Sequence, residues 1–329
     1  MSLPLLLLFV DGLGLAPSGA HNPLATTPTP TLARLVGGAL TVERIGARGD
    51  GDFVLRAIDA VLGVPGLPQS GTGQTALFTG VNAPLAVGRH VVAFPGPRLR
   101  ALLADHGLFR RAIEAGLSCA FANAFSARYF ELLDARRLRR SASVVLAESA
   151  GVRLRGMDEL RAGAALTWDI ERDRFARGDD DRVESIPAAS AGRQLAELAS
   201  RHQLTLFETF FTDLAGHRRD GFDAGEALRR VDALLGGVLE SAPRRRLTVV
   251  LTSDHGNLED GATSRHTRNP VPLLAIGPRA ADFAGAASLL DVATAMLAGG
   301  AASDRRGHRA TTSGGGGMVG STQDVGVAP

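Results

Sequence analysis

The chain has 329 residues, of which 45% are hydrophobic and 21% are charged, and its formal net charge is +2 at pH 7. This balance excludes a disordered, collagen-like or coiled-coil chain, and no apolar run reaches the ~20 residues that a membrane-spanning helix needs. At about 150 residues per domain, the length predicts about two globular domains.

The basic and sulphur-containing residues narrow the function further. All 36 basic residues are arginines, scattered along the chain apart from tight groups at 136–140 and 244–246. With one Tyr and one Trp, this pattern argues against a nucleic-acid binder, which needs a basic groove with stacking aromatics.

Cys119 stands alone, which excludes an internal disulfide or a thiolate metal cluster. The N-terminus lacks the features of a signal peptide, so we expect a cytoplasmic protein without a membrane partner; the oligomeric state is left open.

Short apolar runs alternate with helical patterns along the chain. The runs predict strands at residues 5–10, 117–121, 204–211, 247–252 and 271–276. Helices are predicted at residues 32–36, 190–201, 224–239 and 289–298. Continuous apolar strands separated by helices predict an α/β fold with a three-layer αβα core, in which helices cover both faces of a mostly parallel sheet.

The amino-acid composition changes in the middle of the chain. Charged residues become dense and strand signals weaken, as in ERDRFARGDDDR at 171–182. We therefore expect an inserted cap domain at 85–187, and a catalytic core made of the two separate pieces 1–84 and 188–300. The glycine-rich residues 301–329 are expected to form a disordered tail.

Four short segments carry residues suited to chemistry. They are FVDGLG at 9–14, PQSGTGQT at 68–75, FTDLAGHRRD at 211–220, and the stretch from TSDHGN at 252–257 to RHTRNP at 265–270. Three directly follow predicted strands, where functional loops of parallel sheets gather. Taken singly, each segment is also typical of an ordinary turn.

Together the segments supply three carboxylates and three imidazoles as candidate ligands: Asp11, Asp213, Asp254, His217, His255 and His266. Oxygen and nitrogen ligands without thiolates suit Mn, Zn or Mg. Six protein ligands are too many for one catalytic ion with an open position, so we expect a site for two ions. Ser70 begins a predicted helix, where backbone N–H groups favour an anion. Its hydroxyl is the candidate nucleophile, and Thr72 and Thr75 are its rivals.

The segments FVDGLG, QSGTGQ, TDLAGHRRD, TSDHGN and RHTRNPVPLL resemble the alkaline phosphatase superfamily, in particular the branch of cofactor-independent phosphoglycerate mutase and phosphopentomutase. The resemblance covers residues 3–84 and 190–300 and implies an alkaline phosphatase-like fold. It implies that Asp213, His217 and His266 hold one metal ion, and that Asp11, Ser70, Asp254 and His255 hold the other, with Mn the first expectation and Zn or Mg the alternatives. It also implies that Ser70 is a nucleophile that forms a phosphoserine intermediate.

The sequence departs from the mutases at two places. Gly73-Gln74 replaces their Gly-His pair, and the expected cap at 85–187 contains no recognisable mutase substrate motif. Hydrolysis of a small phosphate ester is therefore the first expectation and phosphomutase activity the alternative. A catalytically silent metal-binding or phosphate-binding protein is a further alternative. Sulfatase activity is disfavoured because Ser70 is not followed by the Pro and Arg that direct formylglycine formation.

Arg218, Arg265 and Arg268 neighbour the ligands and are candidate substrate contacts, because guanidinium groups can bind phosphate with two hydrogen bonds. Arg89 and His90 are further candidates, because they begin the expected cap and could face the site. The arginines are equally consistent with solvated side chains or surface ion pairs. Trp168 and Tyr129 are expected in the core of the cap rather than at the substrate.

Overall fold

The computed structural model describes residues 3–46, 51–175, 183–241 and 246–298. The predicted disordered tail at 301–329 lies outside these residues. No helix within the described residues is long and apolar enough to cross a membrane.

One six-stranded sheet organises the chain, with the strand order β2-β6-β5-β1-β4-β3. The strands are β1 (Leu5–Val10), β2 (Phe53–Ile58), β3 (Cys119–Phe121), β4 (Leu204–Thr209), β5 (Thr248–Thr252) and β6 (Val271–Ile276). β1 lies at the centre and pairs in parallel with β4 and β5. β6 runs antiparallel to both of its neighbours, β5 and β2. The predicted fold class, α/β with a mostly parallel sheet, is confirmed.

Helices cover both faces of the sheet. They are α1 (Pro23–Thr26), α2 (Pro30–Val36), α3 (Ser70–Thr79), α4 (Ala83–Val87), α5 (Pro97–His106), α6 (Leu108–Glu114), α7 (Ala127–Asp134), α8 (Ala142–Ser149), α9 (Met157–Arg161), α10 (Ala188–Ser200), α11 (Phe211–Gly216), α12 (Ala224–Ser241) and α13 (Leu289–Ala298).

The alternation of side chains along β1 separates the two apolar layers. Leu5, Leu7 and Phe9 pack with residues of α3, α5, α6, α8 and α13 on one face. Leu6 and Leu8 pack with residues of α2, α10 and α12 on the other face. Because both faces of this strand are covered, its apolar run is continuous rather than alternating.

The structure corrects the predicted elements at two places. The predicted strand 204–211 ends at Thr209, because the chain turns there into α11. β2 is missing from the prediction, since Arg56 interrupts its apolar run and the strand lies at the edge of the sheet. Arg56 is only half-buried, and its guanidinium donates a hydrogen bond to the Ala284 carbonyl.

Part of the predicted cap belongs to the core. β3 pairs in parallel with β4 as the edge strand of the sheet. Leu99, Leu103 and Phe109 of α5 and α6 join the same buried cluster as β1. The expectation of a separate cap at 85–187 is corrected in this respect, and the remaining domain boundaries stay a prediction.

The contact between α10 and α12 depends on glycine. A Cβ atom on Gly192 would overlap the Leu234 carbonyl oxygen and lie 2.8 Å from the Val238 nitrogen. We expect Gly192→Ala to lower the free energy of unfolding by about 1–3 kcal/mol, because the two helices must move apart. Thermal unfolding measures the change. Gly285→Ala is the control, since no atom lies within 4 Å of its added Cβ. Equal stability of the two variants would contradict the packing argument.

Candidate metal centre

The sheet brings the predicted ligands to one edge. Asp11 follows β1, Asp254 and His255 follow β5, and Asp213 lies in α11 directly after β4. The carboxyl ends of these three parallel strands meet at the same edge. His266 precedes β6, and because β6 runs antiparallel to β5, its amino end lies at that edge too.

Asp213, His217 and His266 form the first cluster, with ligand atoms within 4.8 Å of one another. Asp213 Oδ1 lies 3.5 Å from His217 Nε2 and 3.6 Å from His266 Nε2. Asp213 can approach the loop after β1 because Gly12 has a φ of +73°, and a Cβ there would lie 2.9 Å from Asp213 Cα.

The two imidazoles of this cluster present lone pairs to a common point. His217 Nδ1 lies 2.8 Å from the Ser264 carbonyl oxygen, and His266 Nδ1 lies 2.7 Å from the Pro68 carbonyl oxygen. A carbonyl oxygen only accepts, so each Nδ1 carries the proton. In the neutral rings the two Nε2 atoms, 3.1 Å apart, are then both acceptors and cannot bond to each other. A cation between them and Asp213 fits this donor set, and the carbonyl groups hold each ring in the required tautomer.

Asp11, Asp213 and His255 form a second cluster that shares Asp213 with the first. His255 Nε2 lies 3.2 Å from Asp11 Oδ1, 3.6 Å from Asp254 Oδ2 and 3.0 Å from Ser70 Oγ. The structure therefore brings all seven predicted metal ligands together.

The second cluster contains carboxylate oxygens without partners. Asp254 is completely buried, and neither of its carboxylate oxygens has a hydrogen-bond partner within the described residues. Asp11 Oδ1 likewise lacks a hydrogen bond within these residues, and His255 Nε2, which lies 3.2 Å away, offsets part of its charge. Burying an unpaired carboxylate is costly unless a cation compensates it. These oxygens, with the nearby imidazoles, fit a divalent metal ion.

Crowding of charge shifts the proton affinities in the absence of metal. Burial and the charge of Asp11 raise the pKa of Asp254 well above its usual range, and the same two causes raise the pKa of Asp213. Burial lowers the pKa of His255, but the carboxylates of Asp254 and Asp11 outweigh it and raise the pKa to about 10. Burial and the charge of His255 lower the pKa of His266 to about 4. The crowded carboxylates thus favour bound positive charge, which a proton or a cation can supply.

Ser70 is the accessible hydroxyl of its segment. It is the first residue of α3, is half-buried, and lines a cavity together with Asp11 and Asp213. The hydroxyl of Thr72 is buried and bonds to the Gln69 carbonyl, while that of Thr75 is buried and bonds to the Gly71 carbonyl. The geometry therefore favours Ser70 over its two rivals.

Glu259 holds the surrounding loops together, a role that the sequence analysis misses. Its buried carboxylate accepts hydrogen bonds from Gly14 N at 3.0 Å, Asn257 N at 2.8 Å, Asn269 Nδ2 at 3.0 Å and the Thr267 hydroxyl. These groups belong to the loop after β1 and to the connection between β5 and β6, in which Glu259 itself lies. One side chain thus fixes the loops that carry most of the ligands.

Three further polar residues surround the ligands. Gln74, where the mutases have His, donates a hydrogen bond of 2.9 Å to Asp11 Oδ2. Asn257 donates one of 3.0 Å to Asp213 Oδ1. Glu208 lies on β4, and burial, with a smaller contribution from Asp11, raises its pKa to about 7. Its position among apolar residues of a buried strand gave no signal in the sequence.

None of the five predicted substrate contacts lines the cavity, although all five lie in the described part of the chain. Arg218 donates to the Gly261 carbonyl at 2.6 Å, and Arg268 to the Gly66 carbonyl at 2.8 Å. His90 Nε2 lies 3.3 Å from the Val64 carbonyl oxygen. Arg89 and Arg265 are exposed. The arginines that do line the cavity are Arg139 and Arg174, which the sequence analysis does not single out.

Comparison with known sequences finds similarity over part of the chain. Residues 187–300 match the model of the Metalloenzyme superfamily. A segment of 92 residues is 40% identical to the 2,3-bisphosphoglycerate-independent phosphoglycerate mutase of Desulforudis audaxviator (strain MP104C), covering 26% of this chain and 18% of that protein. The chain thus matches less than a fifth of the length of this curated relative.

Solved structures share the fold over most of the chain. The PH0037 protein from Pyrococcus horikoshii superimposes with a TM-score of 0.53 and 14% identity, covering 91% of this chain and 98% of that one. The alkaline phosphatase from the Antarctic bacterium TAB5 gives a TM-score of 0.51 at 14% identity, with the same coverage of both chains. At this identity the likeness shows the fold alone.

Removing divalent metal should destabilise the protein, and more strongly at high pH. The raised pKa values of Asp213, Asp254 and His255 mean that the metal-free fold binds protons more tightly than the unfolded chain. Stability of the metal-free form is therefore lost as the pH rises from about 7 to about 10. We expect metal at a hundredfold excess over Kd to raise Tm by about 5–10 °C near neutral pH, and by more at higher pH.

Thermal unfolding with chelator and with added Mn²⁺, across this pH range, measures the difference. Asp254→Asn should reduce the difference in Tm between the metal-loaded and metal-free forms, because the variant removes one of the crowded charges. Asp158→Asn is the matched control, since its side chain is 97% exposed. A Tm that does not change when metal is added, or a metal-induced rise in Tm that becomes smaller as the pH rises, would contradict the account.

Proposed function

We propose that this chain hydrolyses a small phosphate monoester through a phosphoserine intermediate. The match of residues 187–300 to the Metalloenzyme superfamily model, the similarity to a phosphoglycerate mutase and the fold shared with an alkaline phosphatase support the proposal. The observation that carries the proposal is the position of Ser70. Its Oγ lies 3.0 Å from His255 Nε2, beside both ligand clusters and at the wall of a cavity.

The proposed cofactor is a pair of divalent cations, with Mn²⁺ first and Zn²⁺ or Mg²⁺ as alternatives. Asp213, His217 and His266 would hold one ion. Asp11, Ser70, Asp254 and His255 would hold the other, and Asp213 lies within reach of both clusters. Bound cations of this kind supply charge stabilisation for the attacking and leaving oxygens of a phosphoryl transfer.

The chain's own residues perform two displacements. In the first, Ser70 Oγ attacks phosphorus, the bond from phosphorus to the alcohol oxygen breaks, and the serine proton ends on the released alcohol. In the second, water attacks the phosphoserine, the bond from phosphorus to Ser70 Oγ breaks, and Ser70 regains a proton as inorganic phosphate forms. Ser70 starts α3, whose first N–H groups face the incoming anion.

Phosphomutase activity is the second candidate, and the sequence match to a phosphoglycerate mutase favours it. A mutase differs only in its second acceptor, which is a hydroxyl of the retained substrate rather than water. Gln74 stands where the mutases have His and donates to Asp11 instead. This replacement favours hydrolysis, which does not require reorientation of a trapped substrate.

We expect Mn²⁺-dependent release of phosphate from at least one member of a panel of phosphomonoesters, sugar phosphates and phosphodiesters. Ser70→Ala should lower the rate at least about 1,000-fold, because the variant removes the attacking oxygen. Phosphate release is measured together with bound metal. The control Ser18→Ala changes an exposed serine and should leave the rate unchanged.

Each outcome separates the candidates. Loss of turnover with retained metal identifies Ser70 as the nucleophile. Interconversion of phosphate isomers without phosphate release would replace the phosphatase by the mutase. Full activity of Ser70→Ala would contradict the phosphoserine mechanism, and a protein that binds metal but neither hydrolyses nor isomerises phosphate esters would be a silent binder.

A further inference from the structure

The cavity beside Ser70 is larger and more apolar than phosphate alone requires. Its volume is about 600 Å³, within the range of pockets that bind drug-sized ligands. Ser70, Asp11 and Asp213 line it at the metal centre. Its other lining residues include seven aromatic rings: Phe9, Phe94, Phe125, Tyr129, Trp168, Phe175 and Phe210.

The aromatic walls are arranged before any ligand binds. Trp168 stacks on Phe210 with ring centroids 4.4 Å apart and planes inclined by 14°. Phe125 and Tyr129 lie 4.5 Å apart with planes inclined by 35°. Trp168 and Tyr129 line the cavity and also pack against the apolar layers on the two faces of the sheet, which differs from the sequence expectation that they belong to the core of a cap.

Most polar groups that line the cavity already have partners. Asn123 makes hydrogen bonds of 2.8 and 2.9 Å with the backbone of Glu208. Ser126 and Ser141 accept from the N–H groups that begin α7 and α8. Few hydrogen-bonding groups remain for the hydroxyls of a sugar.

The charges that line the cavity do not suit a second anion. Arg174 pairs with Glu226 at 3.0 Å and lies over the rings of Phe211 and Phe222. Arg139 is exposed and lies 6.0 Å from the centroid of Phe94. Glu208 adds a buried carboxyl to the same wall. The carboxylate of a phosphoglycerate would find no buried unpaired cation among these lining residues.

We propose that this cavity binds the alcohol part of the substrate as a flat, apolar ring, so that the substrates are aryl or arylalkyl phosphates. The inference rests on the proposed function, because the phosphoryl group must lie between Ser70 and the metal ligands. The ring then stacks along the aromatic walls, which gain contact area without losing hydrogen bonds.

The chain contains one tryptophan, and its position at the cavity wall gives a binding assay that needs no turnover. Benzylphosphonate and ethylphosphonate, whose phosphorus–carbon bonds resist hydrolysis, are titrated into the Mn²⁺-loaded protein while Trp168 fluorescence is followed. We expect benzylphosphonate to change the emission with saturation and to bind at least about 10-fold more tightly than ethylphosphonate. Equal affinities would overturn the proposal.

Phe94 provides the variant that leaves folding intact, because its side chain is 39% exposed. We expect Phe94→Ala to weaken benzylphosphonate about 3- to 10-fold and to leave ethylphosphonate unchanged. The matched control is Val92→Ala, an apolar residue of the same loop that is 69% exposed and does not line the cavity. Equal effects of the two variants on benzylphosphonate would count against the cavity.

Turnover separates this inference from the proposed function. 2-Phenylethyl phosphate and ethyl phosphate have leaving groups of similar basicity, and we expect kcat/KM to be at least about 10-fold higher for the former. Equal kcat/KM values, with both reactions abolished by Ser70→Ala, would overturn the aromatic class and leave the phosphatase standing. Release from neither ester, with selective benzylphosphonate binding, would overturn the phosphatase and support the cavity assignment.

Discussion

The repulsion among three crowded carboxylates is the constraint on which the site depends. Asp11, Asp213 and Asp254 meet at one sheet edge, where Asp254 is fully buried and both of its oxygens lack partners among the described residues. Such an arrangement is stable only when positive charge compensates it. In the metal-free protein His255 supplies part of that charge, which explains the rise of its pKa to about 10. We propose that divalent metal completes the compensation and so connects the stability of the fold to the chemistry proposed at Ser70.

The rest of the fold keeps these groups in place despite their repulsion. Central β1 is paired on both sides, so Asp11 follows an enclosed strand of the sheet. Antiparallel β6 brings His266 to the same edge, and Glu259 joins the loop after β1 to the connection between β5 and β6 through hydrogen bonds from backbone and side chains. Rigid support of this kind preorganises the ligands, so that metal binding requires little rearrangement.

The sequence predicts the metal-ligand cluster better than the aromatic residues that line the cavity, for a physical reason. β1 and β6 are continuous apolar runs bounded by Pro, Gly or Asp residues, so their bounds follow from residue type. Arg56 interrupts the apolar run of edge strand β2, so the same rule does not predict this strand. Trp168 and Tyr129 come from distant parts of the chain, and an aromatic side chain carries no local signal of whether it faces a core or a cavity. Only the tertiary arrangement decides that.

The most direct measurement of the central claim is the location of phosphate in the reacting protein. The Mn²⁺-loaded chain is mixed with a phosphate monoester and quenched in acid, and its peptides are analysed by mass spectrometry. The account predicts a phosphorylated peptide with the phosphate on Ser70, formed only when metal is present. Phosphate release without any phosphopeptide, or with the phosphate on Thr72 or Thr75, would contradict it.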